Sequence, residues 1–420
     1  MRADPPRLRN DCFALPPGLR WTPVAEALAE LRGRCETVVG AERVALADAA
    51  GRVLAEDVTA RRASPPRANV AVDGYAFAHA SLTGADPERL RLLAGRAAAG
   101  ADFAGAVGPG EAVRVLTGAA LPEGTDTVVL EEDVGIAEGE LRLRPGLRRG
   151  ANARAAGEDF AAGAAVLRAG AVLRPQDPAL AAAAGWAALP VRRRLKVAVL
   201  STGDELAEAG SDDPSAVMDA NRPMLLGLLS AWGMESVDLG RAPDRREAVA
   251  EALAAGARRA DAVLASGGAS AGDEDHVSAV LRDSGGLGVW RVAMKPGRPL
   301  ATGVIDGAAV FALPGNPVAA FVCALVFARP ALLALAGAEW AEPTGYDVPA
   351  AFAKRRKAGR REYLRARIGP DGRAEAFRSE GSGLISGLSW AGGLVELPEE
   401  GPDLAPGDPV RFLPFGSFGL

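Results

Sequence analysis

The chain has 420 residues, of which 49% are apolar and 24% are charged, and its formal net charge is −5. This length predicts two to four domains, and the acidic balance argues against nucleic acid as a bulk partner. No run of about 18 uninterrupted apolar residues is present, so we expect no membrane span. Its three cysteines are scattered and its histidines are only two, which argues against a disulfide framework and against a His-rich transition-metal site.

The N-terminal segment, residues 1–20, is rich in Pro and Arg and lacks the apolar core of a secretory signal. We therefore expect an irregular segment and a cytoplasmic protein. Thr22 as N-cap, with Pro23 in the first turn, predicts a helix start. A short strand near residues 43–46 and a second helix over residues 48–55 should follow.

An Asp-Gly step at Asp73 and Gly74 follows a Pro-Pro turn. Taken alone, it favours a hairpin turn over a functional site. The region after residue 90 is Gly-rich with short alternating segments, which predicts a small β-rich domain. Thr117 and Asp159 lie there in polar clusters that, taken singly, are more typical of loops than of a site. The expected strands lie at residues 111–116, 127–130, 140–143 and 165–167.

From Arg192 onwards strands alternate with helices, which predicts a three-layer α/β domain around a mostly parallel sheet. Asn221 and Asp244 are expected to cap two of its helices. A hairpin near residues 300–312 and a long apolar helix after Pro317 should complete it. The expected parallel strands are residues 195–200, 236–239 and 261–265, with a further strand near 289–292.

The carboxyl ends of such strands are where ligands bind. Four turns at this edge would bring together Thr202, Glu205, Asp244, Ser266 and Asp275. A Ser-Gly-Gly turn and a helix start together form an anion cradle, but the acids at the same place would repel a bare phosphate. A divalent cation between the acids and a phosphorylated ligand is therefore the economical interpretation. The alternative is an ordinary turn whose acids complement the helix dipole.

Two groups of cations in the second half of the chain could bind an anionic ligand. Lys295 and Arg298 lie in a loop held between prolines, which suits an oxyanion. After about residue 340 the composition changes to a strand-rich tail that opens with the basic run 354–357. This run supplies local positive charge for an anionic ligand, or else it is a solvated strand edge that discourages aggregation.

Seven short motifs follow one another along nearly the whole chain from about residue 22. They are VDGYA (72–76), TGA (117–119), GED (157–159), TGDEL (202–206), SGG…GDED (266–275), KPGRP (295–299) and LPGNP (313–317). Each is weak alone, but the ordered set closely resembles the molybdopterin molybdenumtransferase family, of the bacterial MoeA type that is also found as the E domain of gephyrin.

The resemblance implies a multidomain α/β fold. A linker domain would span residues 20–190 with a β-rich insert at about 60–160. A three-layer α/β domain that binds molybdopterin and nucleotide would span 191–337, and a β-rich C-terminal domain 341–420. The four-domain subunits would form an elongated homodimer.

The implied activity belongs to molybdenum cofactor biosynthesis. A cytoplasmic transferase would insert molybdate into adenylylated molybdopterin, release AMP and require Mg²⁺. The protein that adenylylates molybdopterin is an implied partner, whereas nucleic acid and membrane are not.

The resemblance also implies roles for residues at matching motif positions. Asp73 and Thr117, with Asp159 nearby, would face the cleft from the second subunit, and Glu205 and Asp275 complete the catalytic set. The metal ligands would be Glu205, Asp244 and Asp275. The substrate-binding set would be Ser201, Thr202, Asp244, Ser266, Gly267, Gly268, Lys295, Arg298, Pro314, Asn316, Arg365 and Ser382.

Four positions depart from the family pattern. Val70 stands where a Ser is usual, which puts a substrate contact in question, and Arg298 stands where a second Lys is usual. His276 replaces an aromatic residue, and Gly392 replaces a common Asn. We read these as divergence within the function.

Three other functions remain open at this stage. A non-catalytic pterin carrier or scaffold would keep the fold, but it has little need for an acid-plus-cation set. A tungstate-preferring insertase would share every residue named, because tungstate and molybdate have nearly the same size and charge. A different mononucleotide-binding α/β enzyme would leave the N-terminal motifs unexplained.

Overall fold

A computed structural model describes residues 21–269, 275–284 and 288–420. The chain divides into two compact units, each discontinuous in sequence. The first unit comprises residues up to 42, 51–53 and 192–420, and the second comprises 43–50 and 54–191. The irregular segment expected over residues 1–20 lies outside the described residues.

The described chain begins with helix α1 (Val24–Arg34) and strand β1 (Ala41–Ala45). The helix packs its apolar face into the core of the first unit, as expected. The expected cap is wrong, because Pro23 is the N-cap and no side chain caps the helix. Thr22 instead forms a β-bridge with Val292, so a long-range backbone contact replaces the local one.

The prediction of a second helix over residues 48–55 is also wrong. Only a 3₁₀ turn at Leu46–Asp48 forms. The chain then turns at Gly51, whose φ of 76° is left-handed and ends helical geometry. Leu54 is already extended and bridges Val191.

The second unit consists mainly of short strands, as expected. They are β2 (Val58–Thr59), β3 (Asn69–Val70), β4 (Gly74–Phe77), β5 (Glu88–Ala97), β6 (Glu111–Val115), β7 (Thr127–Leu130), β8 (Val134–Ala137), β9 (Glu140–Leu143), β10 (Ala153–Arg154) and β11 (Ala165–Leu167), followed by α2 (Asp177–Ala183) and β12 (Ala188–Arg192). Six of them form a sheet in the order β7-β4-β6-β5-β9-β8. Tyr75 and Phe77 pack on one face of this sheet and Ala76 on the other, which is the alternation that the sequence shows.

The hairpin favoured at Asp73 and Gly74 does not form. β4 begins at Gly74 and pairs with β6 and β7, whereas β3 pairs with β10. A Cβ atom at Gly74 would collide with the carbonyl of Val129 on β7. The glycine is therefore needed for a close approach of two strands and not for a turn.

The α/β part of the first unit follows the expected alternation. Its elements are β13 (Lys196–Thr202), β14 (Leu206–Ala207), β15 (Val217–Met218), α3 (Asn221–Ala231), β16 (Glu235–Ala242), α4 (Arg246–Arg259), β17 (Ala262–Ser266), α5 (His276–Asp283), β18 (Gly288–Arg291), β19 (Met294–Lys295), β20 (Pro299–Ile305), β21 (Ala308–Leu313), α6 (Pro317–Cys323), a π-helical turn (Ala324–Ala328) and α7 (Arg329–Leu335).

The main sheet has the order β16-β13-β17-β21-β20-β18. The first four strands are parallel, and the expected hairpin β20–β21 adds antiparallel pairing at the other side. Alternate strand residues enter two separate apolar cores, one shared with α1, α3, α6 and α7 and one with α4 and α5. The three-layer α/β prediction is confirmed.

The helical run Pro317–Leu335 is long and apolar enough to cross a membrane by length and composition alone. However, 83% of its most apolar window is buried within the structure. A core helix meets the same criterion, and here the run packs against α3 and β21.

The tail is strand-rich, as expected. It contains β22 (Tyr346–Pro349), β23 (Arg361–Ile368), β24 (Ala374–Ala376), α8 (Ser386–Trp390), β25 (Gly393–Leu397) and β26 (Pro409–Pro414). Its sheet also takes in β19, which pairs in parallel with β23 so that Lys295 lies opposite Glu362. This pairing fixes the KPGRP loop between the α/β part and the tail.

Candidate active site

A cavity of about 800 Å³ lies at the carboxyl edge of the parallel strands in the first unit. Strand ends, the KPGRP loop and the tail all contribute to its wall. The residues of the expected set that line it are Thr202, Glu205, Asp244, Gly267, Gly268, Asp275, Lys295, Arg298, Pro314, Asn316 and Ser382. Residues as distant in the chain as Thr202 and Asn316 are thus brought together as the sheet topology predicted, while their individual roles stay predictions.

Two of the expected residues lie behind the wall. Ser201 and Ser266 are buried, and neither lines the cavity. The Ser266 hydroxyl accepts a hydrogen bond from Asn221 Nδ2 at 2.7 Å. Its contribution is therefore to hold the turn in place.

Asn221 does not cap α3, which corrects the expectation. It is the first residue of the helix and its side chain is buried. Nδ2 donates to both Ser266 Oγ and the Gly315 carbonyl, each at 2.7 Å. One amide therefore joins the turns after β17 and β21, a role that no local sequence signal indicates.

The Ser-Gly-Gly turn packs closely against the end of β13. Gly267 has φ 98°, and a Cβ atom there would lie 2.6 Å from Thr202 Oγ1 and 2.7 Å from the Thr202 carbonyl oxygen. The Gly267 N–H donates to the Leu313 carbonyl at 3.0 Å, so this amide of the expected anion cradle is already used. Residues 270–274, which include Asp273 and Glu274, lie outside the described residues.

The acidic residues at the carboxyl edge of the parallel strands lie close together. Asp244 is not the cap of α4, whose N-cap is Arg245. Instead, Asp204 and Asp244 exchange backbone-to-carboxylate hydrogen bonds of 3.3 and 3.1 Å. Burial raises the pKa of the Asp244 carboxyl, and the charges of Glu205 and Asp204 add to this, against the opposing hydrogen bond from the Asp204 N–H and the charge of His276. The site therefore favours a proton or a cation at this position.

The cations of the cavity come from the KPGRP loop and the tail. The sequence interpretation included Lys295 and Arg298 but missed Lys357, Arg360 and Glu380, which also line the wall. The basic run was noticed, but its pattern does not show which side chains face a cavity. Since the side chain of Lys354 is only 8% exposed, the solvated-edge alternative does not hold for this residue.

Arg365 lies outside the main cavity and lines a smaller one beside it. Its guanidinium donates to the carbonyls of Leu384 (2.5 Å), Ser379 (2.5 Å) and Gly381 (3.1 Å). Arg365 therefore holds the loop that carries Ser382.

The remaining expected residues lie in the second unit. The Asp73 carboxylate accepts hydrogen bonds from the Thr117 backbone N–H (2.7 Å) and hydroxyl (2.8 Å), which lower the pKa of Asp73. The VDGYA and TGA motifs are therefore joined through the ionised carboxylate of Asp73. Asp159 lines a separate open cavity of about 530 Å³ with Asn69 and Arg154.

Three family descriptions match consecutive parts of the chain. They are the MoeA N-terminal region (domain I and II) at residues 22–185, a probable molybdopterin binding domain at 198–334, and the MoeA C-terminal region (domain IV) at 347–415. The molybdopterin molybdenumtransferase of Haemophilus influenzae is 35% identical over 382 residues, which are 89% of this chain and 94% of that protein. The chain belongs to the molybdopterin molybdenumtransferase family.

Other comparisons agree with this membership. Molybdopterin molybdenumtransferase 2 of Mycobacterium tuberculosis is 33% identical over 415 residues, covering 91% of this chain and 96% of that protein. The crystal structure of the molybdopterin biosynthesis moeA protein from Pyrococcus horikoshii superposes with a TM-score of 0.82 at 29% identity. It covers 94% of this chain and all of that one. The family resemblance read from seven motifs is confirmed.

The structure shows the surroundings of two of the positions that depart from the family pattern. Val70 is fully buried in the apolar core of the second unit, so its side chain packs where a hydroxyl would need a partner. His276 Nε2 lies 3.1 Å from the Asp244 carbonyl oxygen, at the first residue of α5. The His276 substitution therefore lies beside the acidic edge.

Proposed function

We propose that this chain inserts molybdate into adenylylated molybdopterin with release of AMP, a step of molybdenum cofactor biosynthesis. The observation that carries the proposal is one cavity walled by carboxylates from the strand ends and by cations from the KPGRP loop and the tail. The relatives of this chain bear the name of this transferase, which supports the same reaction.

The chemistry suits this inventory. Molybdate and the phosphate anhydride of the pterin are both anions, so cations are needed to bring them together. Lys295 offers a compact charge and Arg298 a planar fork, and both are suited to oxyanion oxygens. The dithiolene sulfurs come with the substrate, so the protein's part is to position two reactants and neutralise charge.

The donor set also fits Mg²⁺. Among the described residues no group of three or more His, Cys, Asp or Glu is arranged to enclose a metal ion. Mg²⁺, however, is usually held by one or two carboxylates together with water and substrate phosphate, and burial with the nearby charges of Glu205 and Asp204 raises the pKa of Asp244, so a cation is favoured there. We propose that the ion takes one or two carboxylate ligands from the set Glu205, Asp244 and Asp275. When bound, the ion would neutralise substrate phosphate oxygens.

The direct test measures AMP release and cofactor formation with purified protein, adenylylated molybdopterin, molybdate and Mg²⁺. Wild type is expected to turn over and Asp275→Asn to lose turnover. Asp306→Asn is the matched control, since it removes an acid from the β20–β21 turn, where φ is 49° and Asn is tolerated. Tight pterin binding by wild type without AMP release would favour the carrier function, and faster turnover with tungstate would favour the tungsten enzyme.

We further propose a cytoplasmic homodimer in which Asp73 and Thr117 of one subunit face the cavity of the other. In this arrangement Asp73→Asn and Asp275→Asn damage different subunits of the same active site. Two inactive variants that mix at random give half heterodimers, each with one intact site of two, so about a quarter of wild-type activity should return. No return of activity in verified heterodimers would place both residues in the same subunit's site.

The adenylylating protein is the partner expected to supply the substrate.

A further inference from the structure

A network of ion pairs lies beside two neighbouring cavities in the first unit. Glu380 pairs with both Lys295 and Lys354. Lys354 also pairs with buried Glu362 at 2.8 Å, and Arg360 pairs with the same carboxylate at 2.8 Å. Lys295 and Glu380 line both the main cavity and the smaller neighbouring cavity of about 280 Å³.

Glu380 is the most exposed of the five residues in these ion pairs. Its side chain is 40% exposed, whereas those of Lys354 and Glu362 are 8% and 3% exposed. Burial acts to raise the pKa of the Glu380 carboxyl, but the hydrogen bonds and charges of Lys295 and Lys354 outweigh it and lower that pKa to about 2. The carboxylate is therefore ionised at neutral pH and sits where two cations converge.

From this geometry we propose that the Glu380 carboxylate is an internal counter-ion of Lys295 and Lys354, which a tetrahedral dianion that binds Lys295 must displace. The inference rests on the proposed function in one respect only, that the oxyanion used in the reaction is molybdate. Its energetic basis is the charge balance of the ion pairs. With Glu380 in place the five ionic groups sum to +1, and with its carboxylate withdrawn the remaining four sum to +2, which a dianion neutralises.

The surrounding loop favours side-chain rotation as the way of release. The carbonyls of Ser379 and Gly381, on either side of Glu380, are both held by the Arg365 guanidinium. The backbone at Glu380 is thus anchored, while its partly exposed side chain has room to turn towards the cavity. Glu380 consequently acts as a built-in competitor that sets the affinity of the site for oxyanions.

The test is direct binding of molybdate to the purified full-length protein by isothermal titration calorimetry, without pterin. Glu380→Gln keeps the shape of the side chain, removes the charge and leaves one oxygen instead of two to accept from the lysines, and it is expected to bind molybdate at least tenfold more tightly. Glu375→Gln, in β24, is the matched control. Glu375 pairs with Arg367 outside both cavities, so its substitution should leave binding unchanged.

A second variant uses an added carboxylate. In Glu380→Ala, acetate should occupy the vacated position and compete with molybdate, whereas wild type should be insensitive to acetate because its own carboxylate is already there. Unchanged or weaker molybdate binding by a folded Glu380→Gln, or no acetate competition in Glu380→Ala, would overturn the proposal. Should Glu380→Gln fail to fold, the acetate experiment decides.

The wild-type AMP-release assay keeps the two proposals separate. Turnover by wild type without tighter binding in Glu380→Gln refutes the counter-ion and leaves the function standing. Tighter binding in Glu380→Gln without turnover by wild type supports the counter-ion and refutes the proposed function.

Discussion

Gly267→Ala is the change that most directly tests how the Ser-Gly-Gly turn is built. Gly267 has φ 98°, a backbone conformation that L-residues rarely adopt. The added Cβ would meet Thr202 Oγ1 at 2.6 Å and the Thr202 carbonyl oxygen at 2.7 Å, and a backbone oxygen cannot move away as a flexible side chain would. The turn must therefore shift away from β13.

The cost can be worked from these two effects. A non-glycine residue held in an unfavourable backbone region costs about 1–3 kcal/mol. Overpacking against fixed neighbours costs about 1–3 kcal/mol more. A loss of about 4 kcal/mol is a large part of the roughly 5–15 kcal/mol that stabilises a typical protein, and in a unit of this size it corresponds to a fall in Tm of roughly 5–7 °C.

Scanning calorimetry measures the loss, and the AMP-release assay measures the displacement of the site. We expect Gly267→Ala to lose at least tenfold in turnover, because small misplacements of reacting groups are costly. Gly227→Ala is the matched control. Gly227 lies in α3, where an added Cβ would have no heavy atom within 4 Å, so alanine should stabilise by up to about 1 kcal/mol. A Gly267→Ala protein that melts and turns over like wild type would refute the close-packing argument.

Two further predictions concern contacts that the structure alone revealed. Asn221→Ala removes a buried hydrogen bond to Ser266 and a part-buried one to the Gly315 carbonyl, so urea denaturation should show a loss of about 1–3 kcal/mol, larger than that of Ser266→Ala. Equal losses in the two variants would contradict the bridging role. The pKa of Glu380 is lowered from 4.5 to about 2, so its ion pairs stabilise the fold fully above its ordinary pKa and lose that contribution as the pH falls through the folded value. The stability difference between wild type and Glu380→Gln should therefore shrink as the pH is lowered from about 5 to about 3, and a constant difference would contradict it.

Periodicity and turn chemistry were enough to predict most strands and the α/β layer order. Apolar runs such as Lys196–Thr202 and Ala262–Ser266 are buried on both faces, and burial of this kind is visible in composition. The gathering of Thr202, Glu205, Asp244 and Asp275 also followed from the sequence, because the carboxyl ends of parallel strands must share an edge.

Local signals failed where a distant partner offered the same group a better contact. Asn221 was expected to cap a helix, but its side-chain amide donates hydrogen bonds to partners 45 and 94 residues away. Gly74 was expected in a turn, but it is needed where β4 approaches β7.

Glu380 shows the same limit within the site. Nothing in its neighbourhood along the chain marks it, and it gains its setting from Lys295, which is 85 residues away, and from Lys354. The sequence by itself determined the family, the layers and the edge at which the site forms. Only the tertiary structure decided which charges meet there, because ion pairing depends on distance in space, and the fold sets that distance independently of separation along the chain.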